Sequence, residues 1–460
     1  MRSAHYVVLV VLSFSSAAVF AQLPADASTK TRGRIVVTDK TLAVTPPVTV
    51  AKVSRPEASK ARGRVVVTDT MPTIKPAATP VPTPTSTPIV VASQPQMIAS
   101  GPNANSPAKV VTPSGSISAA NRTMSFGAIK GKIAEAKRLM LSRPLPTASV
   151  ESTVPLEFVR VAYHDWKTGE IDFVVMPKES FLSKNTPQQL VSQSGKTITA
   201  ETIRDNGVNT PITLTGDDGT KHLPLLVQYP VVRGGKYIET AYYMSTHPGL
   251  VTSEVVGAGR LYVRNVIEIA RDRLREKGII IQPKIADIAE RLSAVEHVDH
   301  MRFRTEYHPN IYNDIYTLYA LNEGQTYRYS VSSAGAGGMV QMIPSTYRMV
   351  RSWHPNIALM PDFVEGMRNH VNATQAMLLY MKRTWEDLSA SPTIANALET
   401  GIATPEQLMA AGYNSNPARL AGYINRGGEN WTSLIPRETK IYLQIYDSIE
   451  KNVPMAQRAR

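Results

Sequence analysis

The sequence predicts a multidomain α+β protein: a disordered basic and Pro-rich N-terminal region, then a small β-rich domain, then a mainly α-helical C-terminal domain. Three observations predict it. Residues 22–121 are basic and then rich in Pro, Thr, Ser and Ala, without the apolar content a core requires. Between 150 and 256, short β-branched and aromatic runs are punctuated by Asp218-Gly219 and Gly234-Gly235. From 257 onward, apolar residues recur at helical spacing.

Met1 to Ala21 has Arg2 near its start, an apolar run from Val7 to Phe20, and Val19-Phe20-Ala21 before Gln22. That is the pattern of a cleavable signal peptide, so the chain is expected to be exported to a periplasmic or extracellular, wall-associated location. No Cys occurs in the 460 residues. A lipid-modified N-terminus and a disulfide framework are therefore not expected, and stability must come from packed cores. No later stretch is long and apolar enough to span a bilayer, so no transmembrane segment is expected after signal cleavage.

The formal charge is +13, from 50 basic and 37 acidic residues. Residues 22–120 hold 11 Lys or Arg against 4 Asp or Glu, so 11 − 4 = +7 of that excess precedes the folded region. In an exported protein such charge points to an anionic wall or membrane surface, and no nucleic-acid partner is expected.

The basic segment contains a repeat: Lys30-Thr31-Arg32-Gly33-Arg34-Ile35-Val36-Val37-Thr38-Asp39 recurs at 60–69 as Lys60-Ala61-Arg62-Gly63-Arg64-Val65-Val66-Val67-Thr68-Asp69. Each copy joins Arg-Gly-Arg to a β-branched triplet that can add a strand to another sheet's edge. The repeat reads either as a docking peptide for an envelope protein or as a charged, solvated tether. Pro76 to Pro84 then stays extended.

Residues 122–149 are expected to form a short basic helix, Phe126 to Leu141, and a linker. In the β-rich domain (150–256), Phe158, Val159 and Val161 face Ile171, Phe173 and Val175 across a turn at 167–170, and Tyr163-His164-Asp165 reads as turn chemistry. Further strands are expected at Pro211–Leu214, Leu223–Tyr229 and Tyr237–Met244. Trp166, Tyr229, Tyr242 and Tyr243 suit either sugar stacking or a core. This domain is a second candidate surface for an envelope partner.

A connecting helix (257–283, with its period from Gly259 to Lys277) leads to the C-terminal domain at 284–455. Ile285, Ile288, Leu292 and Val295 continue the helical period, as do Ile311, Ile315 and Leu318 up to Asn322. Tyr312, Tyr316 and Tyr319 form a stripe suited to a sugar groove or to core packing. His297 and His300, three apart on an expected helix, have a zinc-like spacing but no third ligand, and read as exposed polar residues; no metal is expected.

Glu323 follows that helix, and Ser332, Ala334-Gly335-Ala336, Gly338-Met339-Val340-Gln341 and Pro344-Ser345-Thr346 follow Glu323 at fixed intervals. Gly and Ala let a backbone approach a bulky ligand closely, and a carboxylate before such a loop suits the mouth of a sugar-binding cleft. Two more blocks follow: Ala411-Gly412-Tyr413-Asn414-Ser415-Asn416-Pro417, and Ile435-Pro436-Arg437-Glu438-Thr439-Lys440-Ile441-Tyr442. In order and spacing these blocks resemble the soluble lytic transglycosylase family, over roughly residues 284–455.

The resemblance implies a lysozyme-like domain that cleaves the β-1,4 bond between N-acetylmuramic acid and N-acetylglucosamine in peptidoglycan glycan strands, without a cofactor. It implies Glu323 as the single acid and base, with Ser332, Met339, Gln341, Tyr413, Asn414 and Tyr442 around the substrate. An acid that is protonated near neutral pH needs burial beside apolar atoms, for which Met339 and Val340 are candidates. Gln341 and Asn414 can both donate and accept hydrogen bonds, as aminosugars require.

Thr404-Pro405-Glu406-Gln407 reads as a capping box starting the helix to Tyr413. Glu438 is expected to brace the fold. Two positions depart from the family pattern: Gly324 stands where Ser is usual, and Asn416 where Gly is usual, Asn being the side chain that best tolerates a left-handed backbone. A goose-type-lysozyme-like hydrolase and a catalytically weak glycan-binding scaffold remain as alternatives.

Overall fold

A computed structural model of the chain describes residues 123–143, 158–233, 236–244, 246–322 and 334–459. The signal-like segment 1–21, the tether with its repeats at 30–39 and 60–69, and Glu323, Gly324 and Ser332 lie outside the described residues. What is described has a mixed fold, an antiparallel sheet followed by helices, within one compact unit.

Helix α1 (Phe126–Ser142) starts at Ser125, whose hydroxyl accepts the Ala128 N–H. Its spacing turns Ile129, Ala136 and Met140 to one side, all fully buried with Leu225 and Leu226 of the sheet. Burial of each large apolar side chain contributes about 1.5–3 kcal/mol.

The sheet is built around a long strand. Strands β1 (Phe158–His164) and β2 (Ile171–Pro177) form a hairpin, short helix α2 (Lys178–Phe181) follows, and β3 (Gln188–Val191), β4 (Thr197–Thr202) and β5 (Ile212–Gly216) lead to β6 (Lys221–Arg233) and β7 (Lys236–Tyr243). The path is β2-β1-β6-β5-β4-β3, all antiparallel, with β7 also on β6. Gln193 beyond β3 donates its N–H to the Phe173 carbonyl on β2, so the two ends of the path meet. Pro224 lacks an N–H for the ladder and falls where the β1 register shifts, at Ala162/Tyr163.

Helix α3 (Ser253–Glu276) begins earlier than its period suggested, because the Thr252 hydroxyl accepts the Val255 N–H and starts the helix there. It leads to α4 (Pro283–Val295), α5 (His300–Thr305) and α6 (His308–Leu321), and the second half holds α7 (Pro344–Trp353), α8 (Phe363–Arg368), α9 (His370–Ser389), α10 (Pro392–Glu399), α11 (Pro405–Asn414), α12 (Leu420–Gly427) and α13 (Arg437–Asn452). Helices α3 and α6 cross in contact: a Cβ on Gly259 would lie 1.9 Å from the Tyr316 carbonyl oxygen, so only glycine permits the approach.

His297 and His300 do not share a helix. His297 lies beyond the end of α4 with only 1% exposure, and His300 opens α5 behind the Asp299 cap. Asp299 receives the Met301 and Arg302 N–H groups, which explains the break between them. Tyr312, Tyr316 and Tyr319 are fully buried, as core rather than groove.

The end of α6 bridges two apolar clusters. Leu318 and Tyr319 belong to the core shared by the helices and one side of the sheet; Ala320 and Leu321 pack with Met244, Leu225 and Val255 on the other.

Candidate functional site

Helix α6 opens with Pro309 in its first turn and closes at Asn322, whose backbone leaves helical geometry at φ −115° and ψ 41°. The Asn322 side chain takes over the main-chain pairing of Met244. Its Oδ1 accepts the Met244 N–H at 2.6 Å, and its Nδ2 donates to the Met244 carbonyl at 2.6 Å and to the Leu318 carbonyl at 3.3 Å. The next residue in sequence is Glu323.

The small-residue block forms a tight loop over 334–343. Gly335 and Gly338 have φ of 74° and 72°, and a Cβ on Gly338 would lie 2.5 Å from the Met367 carbonyl oxygen. Gln341 also occupies the left-handed region, at φ 46°, which is uncommon for a long side chain. It is held there by its own Nε2, which donates to the Gly338 carbonyl at 2.9 Å, while Gly337 donates its N–H to Met342.

Three buried side chains fix that loop through its carbonyls. His297 Nε2 lies 3.0 Å from the Met339 oxygen; a carbonyl only accepts, so this nitrogen carries the proton. Tyr319 on α6 donates to the same oxygen at 3.4 Å and to the Ser293 carbonyl at 2.8 Å. Tyr413 on α11 donates to the Val340 carbonyl at 2.7 Å. Met339 and Val340 are fully buried, with the Met339 sulfur 3.9 Å from the Thr374 hydroxyl.

The third block adds two links. Tyr442 on α13 donates to Glu296 Oε1 at 2.7 Å, and Thr439 donates to Asn414 Oδ1 at 2.8 Å. Glu296 is thus a partly exposed carboxylate hydrogen-bonded beside the residues of the motif. Burial pushes the Tyr347 hydroxyl above the usual phenol range, so it stays neutral, donating to the Met360 carbonyl and accepting from Asn372.

The structure thus brings Met339, Gln341 and Tyr413 to one loop, with Tyr442 and Asn414 on the flanking helices; Glu323 and Ser332 lie outside the described residues. The capping box forms, with Thr404 accepting the Gln407 N–H and Gln407 accepting the Thr404 N–H. Asn416 does not adopt a left-handed backbone: at φ −86° it caps the short helix that follows through the Ala418 N–H. Among the described residues, no group of three His, Cys, Asp or Glu could hold a metal.

Sequence reasoning did not single out Glu296 or Asn322, and it read His297 as an exposed residue. Only the Glu296-His297 pair, just past the last apolar residue of α4, offered a signal. Comparison with family models found no match, and comparisons with curated proteins and with solved structures found none either.

Proposed function

We propose that the chain is an exported peptidoglycan lytic transglycosylase, with a lysozyme-like helical domain and Glu323 as its acid and base. The observation that carries this reading is the joining of the first two sequence blocks at one loop: Tyr413 is bonded to Val340, 73 residues away, while Gln341 shapes the turn. The third block joins them through Thr439 and Asn414. Their convergence supports a shared site.

In this reaction the Glu323 carboxylic acid gives its proton to the glycosidic oxygen as the C1–O bond breaks. The resulting carboxylate takes the proton of the C6 hydroxyl of N-acetylmuramic acid, whose oxygen bonds to C1. Glu323 ends protonated as it began, no water is consumed, and the cleaved strand carries a 1,6-anhydro end. One carboxylate suffices because the substrate supplies the nucleophile, unlike the paired carboxylates of most glycosidases.

Release of soluble material from purified peptidoglycan by the mature chain, and its loss with Glu323→Gln, tests the proposal. Equal release by both proteins contradicts it. Wall binding without release by a folded protein supports the scaffold reading, which Gly324 in place of the usual Ser favours.

A further inference from the structure

We propose that the cleft between the α3–α4 turn, the end of α7 and the side of α9 is a second glycan-binding site, which takes a neutral N-acetylated amino sugar. The cleft has a volume of about 620 Å³ and is lined by Ile279, Ile280, Gln282, His354, Asn356 and Lys382. That volume is within the range of small-molecule sites, about 300–1,000 Å³. The proposal deepens the peptidoglycan reading, since a glycan strand offers many such sugars, and it uses none of the motif residues.

Sugar hydroxyls and acetamido groups both donate and accept hydrogen bonds, so they need side chains that do the same. Gln282 and Asn356 carry amides with both functions. His354 adds an imidazole that burial, with Lys382 nearby, holds below its usual pKa; in its neutral form it presents one donor and one acceptor. None of these three side chains has a hydrogen-bond partner among the described residues, and Gln282 stands at the N-terminal cap of α4 without capping it. Ile279 is partly buried and Ile280 is 71% exposed, an apolar wall suited to an acetamido methyl or the C–H face of a ring. The lining cation, Lys382, is paired with Glu386 one turn on. A ligand ending in a carboxylate would have to compete with Glu386 for it, and a neutral sugar does not.

The walls are preformed. Ile281, Ile357 and Met381 each adjoin a lining residue in sequence and are buried in the same core. The α3–α4 turn is closed by the N–H groups of Gly278 and Ile279, which donate to the Arg275 and Leu274 carbonyls at 2.9 Å. The turn after α7 is closed by the Ile357 N–H, which donates to the His354 carbonyl at 3.0 Å. Walls held in this way spend little of the binding free energy on ordering.

Isothermal titration calorimetry with tri-N-acetylchitotriose tests this on the mature full chain, on Gln282→Ala/Asn356→Ala and on Ile280→Asp, with thermal melts confirming folding. All three substituted positions are exposed, and either variant decides if the other fails to fold. The proposal expects the wild type to bind the sugar and both variants to bind it about 10-fold more weakly or worse. Unchanged isotherms, or no binding by the wild type, overturn it. Binding of N-acetyl-alanyl-alanine in place of the sugar also overturns it and assigns the cleft to a peptide. Muropeptide release from purified peptidoglycan, measured in parallel, separates this site from the transglycosylase reading. A chain that binds the sugar here and releases nothing keeps the site and loses that reading; one that releases normally with unchanged isotherms does the reverse.

Discussion

The hydroxyl of Tyr413 donates to the carbonyl of Val340 at 2.7 Å, joining two motif blocks separated by 73 residues. Both residues are buried, and the same loop is held on its other side by His297 and Tyr319 at Met339. Tyr413→Phe keeps the ring that packs edge-on to Tyr380 at 5.8 Å but leaves the Val340 carbonyl without this partner. Stability should fall by about 1–3 kcal/mol in urea denaturation, and release from peptidoglycan should fall further than the loss of folded protein explains. Wild-type release would show that this bond does not shape the site.

Gly259 allows α3 and α6 to touch. With a Cβ placed 1.9 Å from the Tyr316 carbonyl, Gly259→Ala must push the helices apart rather than bend a side chain. A cost of about 1–3 kcal/mol or more is expected, read as a lower melting temperature. Gly257, whose Cβ would meet nothing within 4 Å, provides the control: Gly257→Ala should be neutral or slightly stabilising.

The C-terminal tail is strapped to α3 and α4 by Arg458. Its Nη1 lies 2.7 Å from Asp287 and 2.7 Å from Glu290, its Nε meets Glu268, and Arg264 holds the Ala456 carbonyl at 2.8 Å. Burial raises the Glu290 pKa against the pull of Arg458 and Arg264, so this carboxylate depends on its cations to stay charged. Arg458→Ala should cost roughly 3–5 kcal/mol, because it strands buried carboxylates. Denaturant titration checks this, and an unchanged midpoint would contradict the strap.

Acid should weaken the sheet region. Burial depresses the pKa of His164, His222 and His247, the last to about 4 with Lys221 adding to the effect. His247 must be neutral for its Nδ1 to accept the Gly249 N–H. A depressed folded-state pKa gives stability that is present above the unfolded value near 6.5 and is lost as pH falls toward the folded value. For His247 the window is pH 6.5 down to about 4, and the loss is roughly 2 kcal/mol after allowing for partial exposure.

Asp165 offsets part of this at His164 and His222, because its carboxylate favours their protonated forms. Burial acts to raise its pKa and is outweighed by Lys196, the Lys167 N–H and His222, so it remains charged 3.6 Å from His222. Because His247 itself titrates in that window, melting temperatures across it should fall less steeply for His247→Asn than for the wild type. Parallel slopes would remove His247 as the cause.

Much of the fold was legible where apolar spacing met turn chemistry. The β1–β2 hairpin follows from Val159 and Val161 facing Met176 and Val174 around a Gly169 turn at φ 75°, and Asp165 builds that turn through the Lys167 N–H. Strands β3 and β4 were not legible, because Gln188–Val191 and Thr197–Thr202 are largely polar and turn only Ile198, Ala200 and Thr202 fully inward. The α4–α5 break was hidden because Asp299 can sit inside a helix pattern, and only its cap geometry shows the chain restarting.

The motif spacing pointed to Met339, Gln341 and Tyr413, but not to the partners that hold them. Asn322 pairs with main-chain atoms 78 residues away, and main-chain partners leave no side-chain signature in a sequence. Glu296 became visible only because Tyr442 reaches it from 146 residues away.

Mass spectrometry of the muropeptides released by the mature chain from purified peptidoglycan tests the central claim most directly. The account predicts 1,6-anhydro-muramic ends, lighter by one water than hydrolysis products and absent with Glu323→Gln. Reducing ends from the wild type would contradict it and assign water as the nucleophile.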